Sequence, residues 1–145
     1  VLGLQNIENI ADVFAECARI LKQRGRVLFV LNHPAFRIPR ASSWGWDDAH
    51  KKQYRRVDQY LSESRVKIDM HPAVPHSQFT VAFHRPLESY AKALSKNGFA
   101  ITRLEEWASH KVSEPGSRAA AENRARKEIP LFLCAEASKI GLFND

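Results

Sequence analysis

Two short runs in this 145-residue chain place histidine beside residues that can do acid–base or anion chemistry. The first is Asn32-His33-Pro34, which directly follows the apolar run Val27-Leu28-Phe29-Val30-Leu31. Pro34 disfavours helix at His33, so the pair Asn32-His33 ends a strand. Polar residues just past a strand's carboxyl end are natural ligand positions in an α/β sheet. The second run is His84-Arg85-Pro86. An imidazole can take up a proton near neutral pH, and a guanidinium can grip a carboxylate or phosphate with two prongs. Each run also has a plain structural reading. The first can be a simple turn, and the second a helix start with solvated side chains.

Other candidates are weaker singly. Val1–Leu4 reads as the tail of a strand, so Gln5 and Asn6 also lie beyond a strand end; alternatively Asn6 or Asn9 caps the helix that follows. Arg37, Tyr54, Arg55 and Tyr60 can line a pocket or pack locally. Trp44 and Trp46 flank Gly45 in a Ser-rich stretch and can form a lid or cover a core. His71 and His76 have no third ligand at metal-binding spacing, so no metal site is expected. There is no Gly-x-Ser-x-Gly elbow and no Cys/His pairing for nucleophilic catalysis. Cys17 and Cys134 sit among apolar neighbours without a CxxC spacing. They read as buried free thiols in a reducing, cytoplasmic compartment.

The elements that must position these residues follow from periodicity. Ile10, Val13, Phe14, Cys17, Ile20 and Leu21 share one face of a helix over 9–24, with Asn9 as cap and Gly25 as stop. The apolar run at 26–31 suits a strand covered on both faces. Helix, glycine and buried strand make half of a βαβ unit. Asn32–His84 differs in texture, with four prolines, two of the three tryptophans and five of the six histidines. Here the pattern predicts a polar helix over 47–61. It also predicts a hairpin from the alternating runs 65–70 and 78–83, joined through 71–77. This segment is read as an insertion or lid. Pro86 then opens a helix ended by Asn97-Gly98. A strand over 99–104 follows, with Phe99, Ile101 and Arg103 on one face, then a polar loop, a helix over 117–127 and a last strand over 130–135.

Composition bounds the rest. Hydrophobic residues make up 44% and charged residues 26%, which supplies a core and argues against a wholly disordered chain. No apolar run reaches membrane-spanning length. The formal net charge is +6, and the stretch from Arg37 to Lys67 holds eight basic residues against four acids. Such a stretch meets an anionic ligand or nucleic acid, or is a solvated face.

The order of these pieces resembles the class I S-adenosylmethionine-dependent methyltransferases, in their small-molecule, type 11-like group. The carriers are Arg19-x-Leu21-x-x-x-Gly25-Arg26 running into a strand, "NHP" after it, and "FHRP" before a helix. To these are added Gly98-Phe99-x-Ile101-x-x-Leu104-x-Glu106 and a final "PLFL". The resemblance implies an α/β fold, the C-terminal half of a Rossmann-like sheet. Its strands would be the family's fifth, seventh and sixth, the last in sequence antiparallel and between the other two. Residues 1–145 would form a partial methyltransferase domain, with 32–84 inserted on the substrate side. It further implies His33 and His84 as proton-handling or acceptor-orienting residues on one sheet edge. Gln5 and Asn6 would contact the cofactor, and Asn32, Arg37, Tyr60 and Arg85 the acceptor. S-adenosylmethionine would be the cofactor of the full-length enzyme and a small or medium-sized molecule the methyl acceptor. The family's Gly-rich cofactor turn has no counterpart among the six glycines. The chain is therefore expected to need its N-terminal half or a second chain, and alone to bind the cofactor negligibly. A basic nucleic-acid-binding module and a non-catalytic scaffold are the rival readings.

Overall fold

A computed structural model describes residues 2–69 and 78–141. A 3-10 turn, Leu4–Asn6, leads into helix α1 (Ile10–Ile20). Asn9 caps α1 through its side-chain oxygen, which accepts from the Ala11 and Asp12 amides at 3.1 and 3.4 Å. The helix stops at Ile20, a turn before Gly25. Strand β1 (Arg26–Asn32) follows.

The next elements are β2 (Ser42–Asp47), β3 (Lys52–Val57), β4 (Ser64–Asp69) and β5 (Phe79–His84). Then come α2 (Leu87–Lys96), β6 (Phe99–Trp107), α3 (Ala119–Glu128) and β7 (Phe132–Lys139). The central sheet has the order β1-β7-β6, and β7 is antiparallel to both neighbours. This is the three-strand arrangement expected from the sequence. β1 and β6 thus run in parallel, and their carboxyl ends meet at one edge, where Asn32 and Trp107 both pair with Phe132.

One face of this sheet carries the core. Leu31 and Ala137, with Val27 and Phe29, pack on Ile10 and Phe14 of α1 and on Tyr90, Ala93 and Leu94 of α2. The Phe29 ring lies 5.7 Å from Phe14 and 6.5 Å from Tyr90, joining both helices to the strand. The opposite face is partly open, polar around Glu136 and apolar toward Val30 and Phe132. Leu28 is 58% exposed there, and Glu136 pairs with Arg26 at 3.2 Å and with Arg103 at 3.8 Å. A bulge between Ile101 and Arg103 puts Arg103 opposite Glu136. Arg103 therefore leaves the face of Ile101 that simple alternation assigns to it. The unpaired Thr102 hydroxyl donates to Glu136.

The segment between β1 and α2 holds two hairpins. β4 pairs with β5 from Ser64↔His84 to Asp69↔Phe79, in line with the alternation of those runs. Met70 to Ser77, with His71, His76 and the 71–77 loop, lies outside the described residues. The helix expected over 47–61 is instead the β2–β3 hairpin, registered from Ser42↔Val57 to Asp47↔Lys52. Asp47 explains the ambiguity. Its carboxylate accepts from the Ala49 and His50 amides at 2.9 and 3.0 Å, the pattern of a helix cap. Lys51, at φ 51°, then turns the chain back. Trp44, Trp46 and Tyr54 supply the strand preference that outweighs the polar helical spacing.

Gly45 fits the hairpin because Tyr54, directly opposite, lays its ring across it. A Cβ at Gly45 would sit 2.3 Å from that ring. Arg55 stacks over Trp44 across the hairpin at 5.2 Å, and Arg118 over Trp46 at 4.7 Å ties the hairpin to its surroundings. The second stack helps seat α3 against β3. Cys17 and Cys134 are free thiols, Cys134 buried and Cys17 partly so, and burial pushes the Cys17 thiol up. Among the described residues no helix is long and apolar enough to cross a membrane, and no group of three or more potential metal ligands occurs.

Candidate functional site

The carboxyl edge of β1 and β6 gathers most of the residues that the sequence singles out, but their side chains face different neighbours. The side chain of Gln5 extends the end of β1. Its oxygen accepts from the Asn32 amide at 2.8 Å and its nitrogen donates to the Asn32 carbonyl at 3.1 Å. Asn6 donates to the Val81 carbonyl and the Thr80 hydroxyl at 2.8 and 3.0 Å, holding β5 beside the 3-10 turn. The two residues therefore stitch β1 to β5.

His84 and Arg85 lie on the same stitching. His84 is 3% exposed, and its Nε2 donates to the Tyr60 carbonyl at 2.7 Å. The Tyr60 hydroxyl accepts from the Leu87 amide at 3.1 Å, satisfying one of the free amides at the start of α2. Arg85 is 6% exposed and donates to the carbonyls of Ile7 and Glu8. It also stacks on Phe83 at 5.2 Å. Next to it the buried Tyr90 hydroxyl faces Arg85 and Gln5, and burial pushes its pKa up. In this structure Tyr60, His84 and Arg85 hold the 60–87 segment to the start of α2 and to the 3-10 turn.

His33 points elsewhere. The Ala35 amide donates to its Nδ1 at 3.1 Å, so the proton sits on Nε2. That nitrogen donates to Glu106 Oε1 at 2.9 Å. The His33 side chain is 8% exposed, against 58% for that of Glu106. The solvent-facing end of this pair is therefore the carboxylate. Arg37 is also at this corner, with its guanidinium 4.9 Å from the centre of the Phe132 ring.

Glu106 and Phe132 both open onto a cavity of about 1080 Å³, lined also by Val30, Trp107, Lys111 and Val112. Strand residues form its floor, and the 108–112 loop with Asn123, Arg126 and Lys127 forms its cover. Neither His33 nor His84 lines it. Arg126 is held by its own neighbours, donating to Ser113 and facing Glu122 at 3.7 Å. Among the described residues Lys111 and Lys127 have no carboxylate within ion-pair reach. Sequence reasoning ends the strand at Leu104 and leaves 105–116 as a polar loop, whereas β6 runs to Trp107, and it misses this cavity. The available signal was Glu106-Trp107 at a strand end followed by His110-Lys111-Val112.

The basic stretch from Arg37 to Lys67 is largely engaged locally. Arg55 donates to the Phe36 carbonyl and the Ser42 hydroxyl, and burial, with Arg37 nearby, lowers its pKa. Arg56 pairs with Asp58 and Lys51 faces Asp48. Arg65 and Lys67 lie over Phe83 and Phe79.

The architecture has solved counterparts. A candidate S-adenosylmethionine-dependent methyltransferase from Listeria monocytogenes aligns over 95% of this chain with 27% identity and a TM-score of 0.69. The chain resembles part of an S-adenosylmethionine-dependent methyltransferase. A second such protein, from Mesorhizobium loti, aligns over 94% with 24% identity and a TM-score of 0.68, a likeness of fold. The chain spans 58% of the length of each of these methyltransferases, a partial coverage that fits a C-terminal portion. No family model and no curated protein matches the sequence.

Proposed function

We propose that this chain is the acceptor-side half of an S-adenosylmethionine-dependent methyltransferase acting on a small or medium-sized molecule. The observation that carries this reading is the β1-β7-β6 order with β7 antiparallel, aligned over 95% of the chain with the Listeria protein. On this reading β1, β7 and β6 are the family's fifth, seventh and sixth strands. Residues 32–84 are then the insertion beside the acceptor.

The described residues do not make a nucleoside cradle by themselves. Gln5 has both ends of its amide committed to Asn32, and Asn6 has its nitrogen committed to β5. Two glycines with open space around them, Gly3 and Gly116, are far apart in sequence. The cofactor supplies a sulfonium methyl, and the remaining work is alignment, exclusion of water and removal of a proton. This chain's share is to hold the acceptor at the carboxyl edge of β1 and β6. Glu106 is the accessible proton acceptor there, and His33 acts behind it by donating from Nε2. Arg37 and Asn32 flank that corner. Gln5, Asn6, Tyr60, His84 and Arg85 keep the insertion in place over it.

The test is calorimetry with S-adenosylmethionine on the chain alone and on a form extended by the N-terminal half that the proposal requires. Several lost hydrogen bonds of about 0.5–1.5 kcal/mol each move a micromolar site beyond millimolar. The chain alone should therefore show no saturable binding, and the extended form should bind in the micromolar range. Micromolar binding by the chain alone removes the missing-half reading. Absence of binding in the extended form removes the methyltransferase reading.

A further inference from the structure

The cavity beneath α3 has a charge pattern that selects among ligands. Its floor is aromatic and aliphatic, from Trp107, Phe132 and Val30. Its cover brings Val112, 72% exposed, together with Lys111 and Lys127. The Arg37 guanidinium stands behind the Phe132 ring. Among the described residues the one lining carboxylate, that of Glu106, is engaged on one oxygen by His33. A flat apolar ligand would gain from removing Val112 and Trp107 from water. An anionic group on it would meet lysines with no acidic partner among the described residues.

We propose that this cavity takes the methyl acceptor and that the acceptor is an anionic amphiphile with a flat, ring-bearing apolar body. The assignment to the acceptor rests on the methyl-transfer reading; the ligand chemistry rests on the cavity alone. A volume of about 1080 Å³ exceeds what a bare ring fills and suits a drug-sized molecule. Charge complementarity favours one negative group, because Lys111 and Lys127 outnumber Glu106. The free Glu106 oxygen adds a place for a hydroxyl or amine hydrogen on the same ligand.

Two fluorescent probes separate the terms: 1-anilinonaphthalene-8-sulfonate, which is anionic, and N-phenyl-1-naphthylamine, its neutral counterpart. The chain should bind the anionic probe at least about tenfold more tightly than the neutral one. Lys111→Glu with Lys127→Glu should abolish that preference while leaving neutral-probe affinity within about twofold. Both lysines are exposed, so the fold should persist, and circular dichroism checks that it does. Val112→Asp should weaken both probes. Equal binding of the two probes by the wild-type chain, an anionic preference that survives charge reversal, or binding of neither would overturn the proposal. An extended form that fails to bind S-adenosylmethionine while this probe pattern holds would remove the methyl-transfer reading and leave the ligand site standing.

Discussion

His33 and Glu106, separated by most of the central fold in sequence, meet at 2.9 Å where the carboxyl ends of β1 and β6 come together. The imidazole is buried and the carboxylate is largely exposed, so the pair fixes one accessible oxygen acceptor at the edge of the sheet. Glu106→Ala should cost about 1 kcal/mol of stability, and Glu106→Gln less, because an amide oxygen still accepts from Nε2. In a His33→Ala background the Glu106→Ala cost should vanish. Denaturant titration of the four proteins measures the coupling, and strict additivity would show that the bond contributes nothing.

His84 supports the 60–87 segment from inside. His84→Ala should destabilise by about 2–4 kcal/mol, since it leaves the Tyr60 carbonyl unpaired and opens a hole. Tyr60→Phe should cost about 1 kcal/mol, because it removes only the acceptor for the Leu87 amide. Hydrogen exchange at that amide should speed up in both variants. An unchanged rate in Tyr60→Phe would mean that the hydroxyl does not cap α2.

Tyr90 gives a pH dependence with a definite sign. Burial raises its pKa in the folded state, so the folded chain holds the phenolic proton more tightly than the unfolded one. The resulting stability is fully present below pH ~10 and is lost as the pH rises through the folded value. Tyr90→Phe should flatten that alkaline loss. At neutral pH it should change stability by no more than about 1 kcal/mol, because the hydroxyl faces Arg85 and Gln5 without completing a hydrogen bond. Denaturation midpoints from pH 7 to 11 test both statements.

Gly45→Ala should push the Tyr54 ring off the hairpin and destabilise by about 1 kcal/mol. In a Tyr54→Ser background the same substitution should be close to neutral, and could be favourable because alanine restricts the unfolded chain. A cost that persists without the ring would place the strain in the backbone.

What was legible in the sequence was whatever depends on periodicity or local capping. The α1 stripe and its Asn9 cap, the β4–β5 alternation and the Pro86 helix start all follow from neighbours a few residues apart. The 47–61 segment misled because Asp47 captures amides two and three residues on in a helix cap and in this hairpin turn alike. Only the pairing of Trp44 with Arg55 and of Gly45 with Tyr54 decides between them. The bulge at Thr102 is invisible for the same reason, since it is defined against β7.

Where the candidate residues lie in the fold was legible in part, and which way they face was not. Gln5 and Asn6 lie in a 3-10 turn and follow no described strand, whereas strand-end logic placed Asn32 and His33 at the end of β1 and helix-start logic placed His84 and Arg85 ahead of α2. It could not say that the His84 ring turns to Tyr60, or that His33 stands behind a carboxylate that arrives from β6. Arg37 gave no local sign that it would stack on Phe132. The cavity forms where the loop between β6 and α3 and residues of α3 meet the ends of β1, β6 and β7, so the short pattern at 106–112 hints at it without showing what closes it.

The central place of β7 has a consequence for how the chain is made. Among the described residues β1 and β6 are joined in the sheet through it, with Arg26 paired to Ser138 and Phe99 to Lys139. On the ribosome both earlier strands would emerge long before the strand that joins them. Until then each keeps an unpaired edge, and neither α1 nor α2 has a finished surface to settle on. Nascent chains stalled before residue 132 should accordingly be recognised by holdase chaperones, and release should wait until 132–139 have left the ribosome. β7, which comes after both of its neighbours in the sequence, is the keystone, and the risk of aggregation lies in the interval before it arrives.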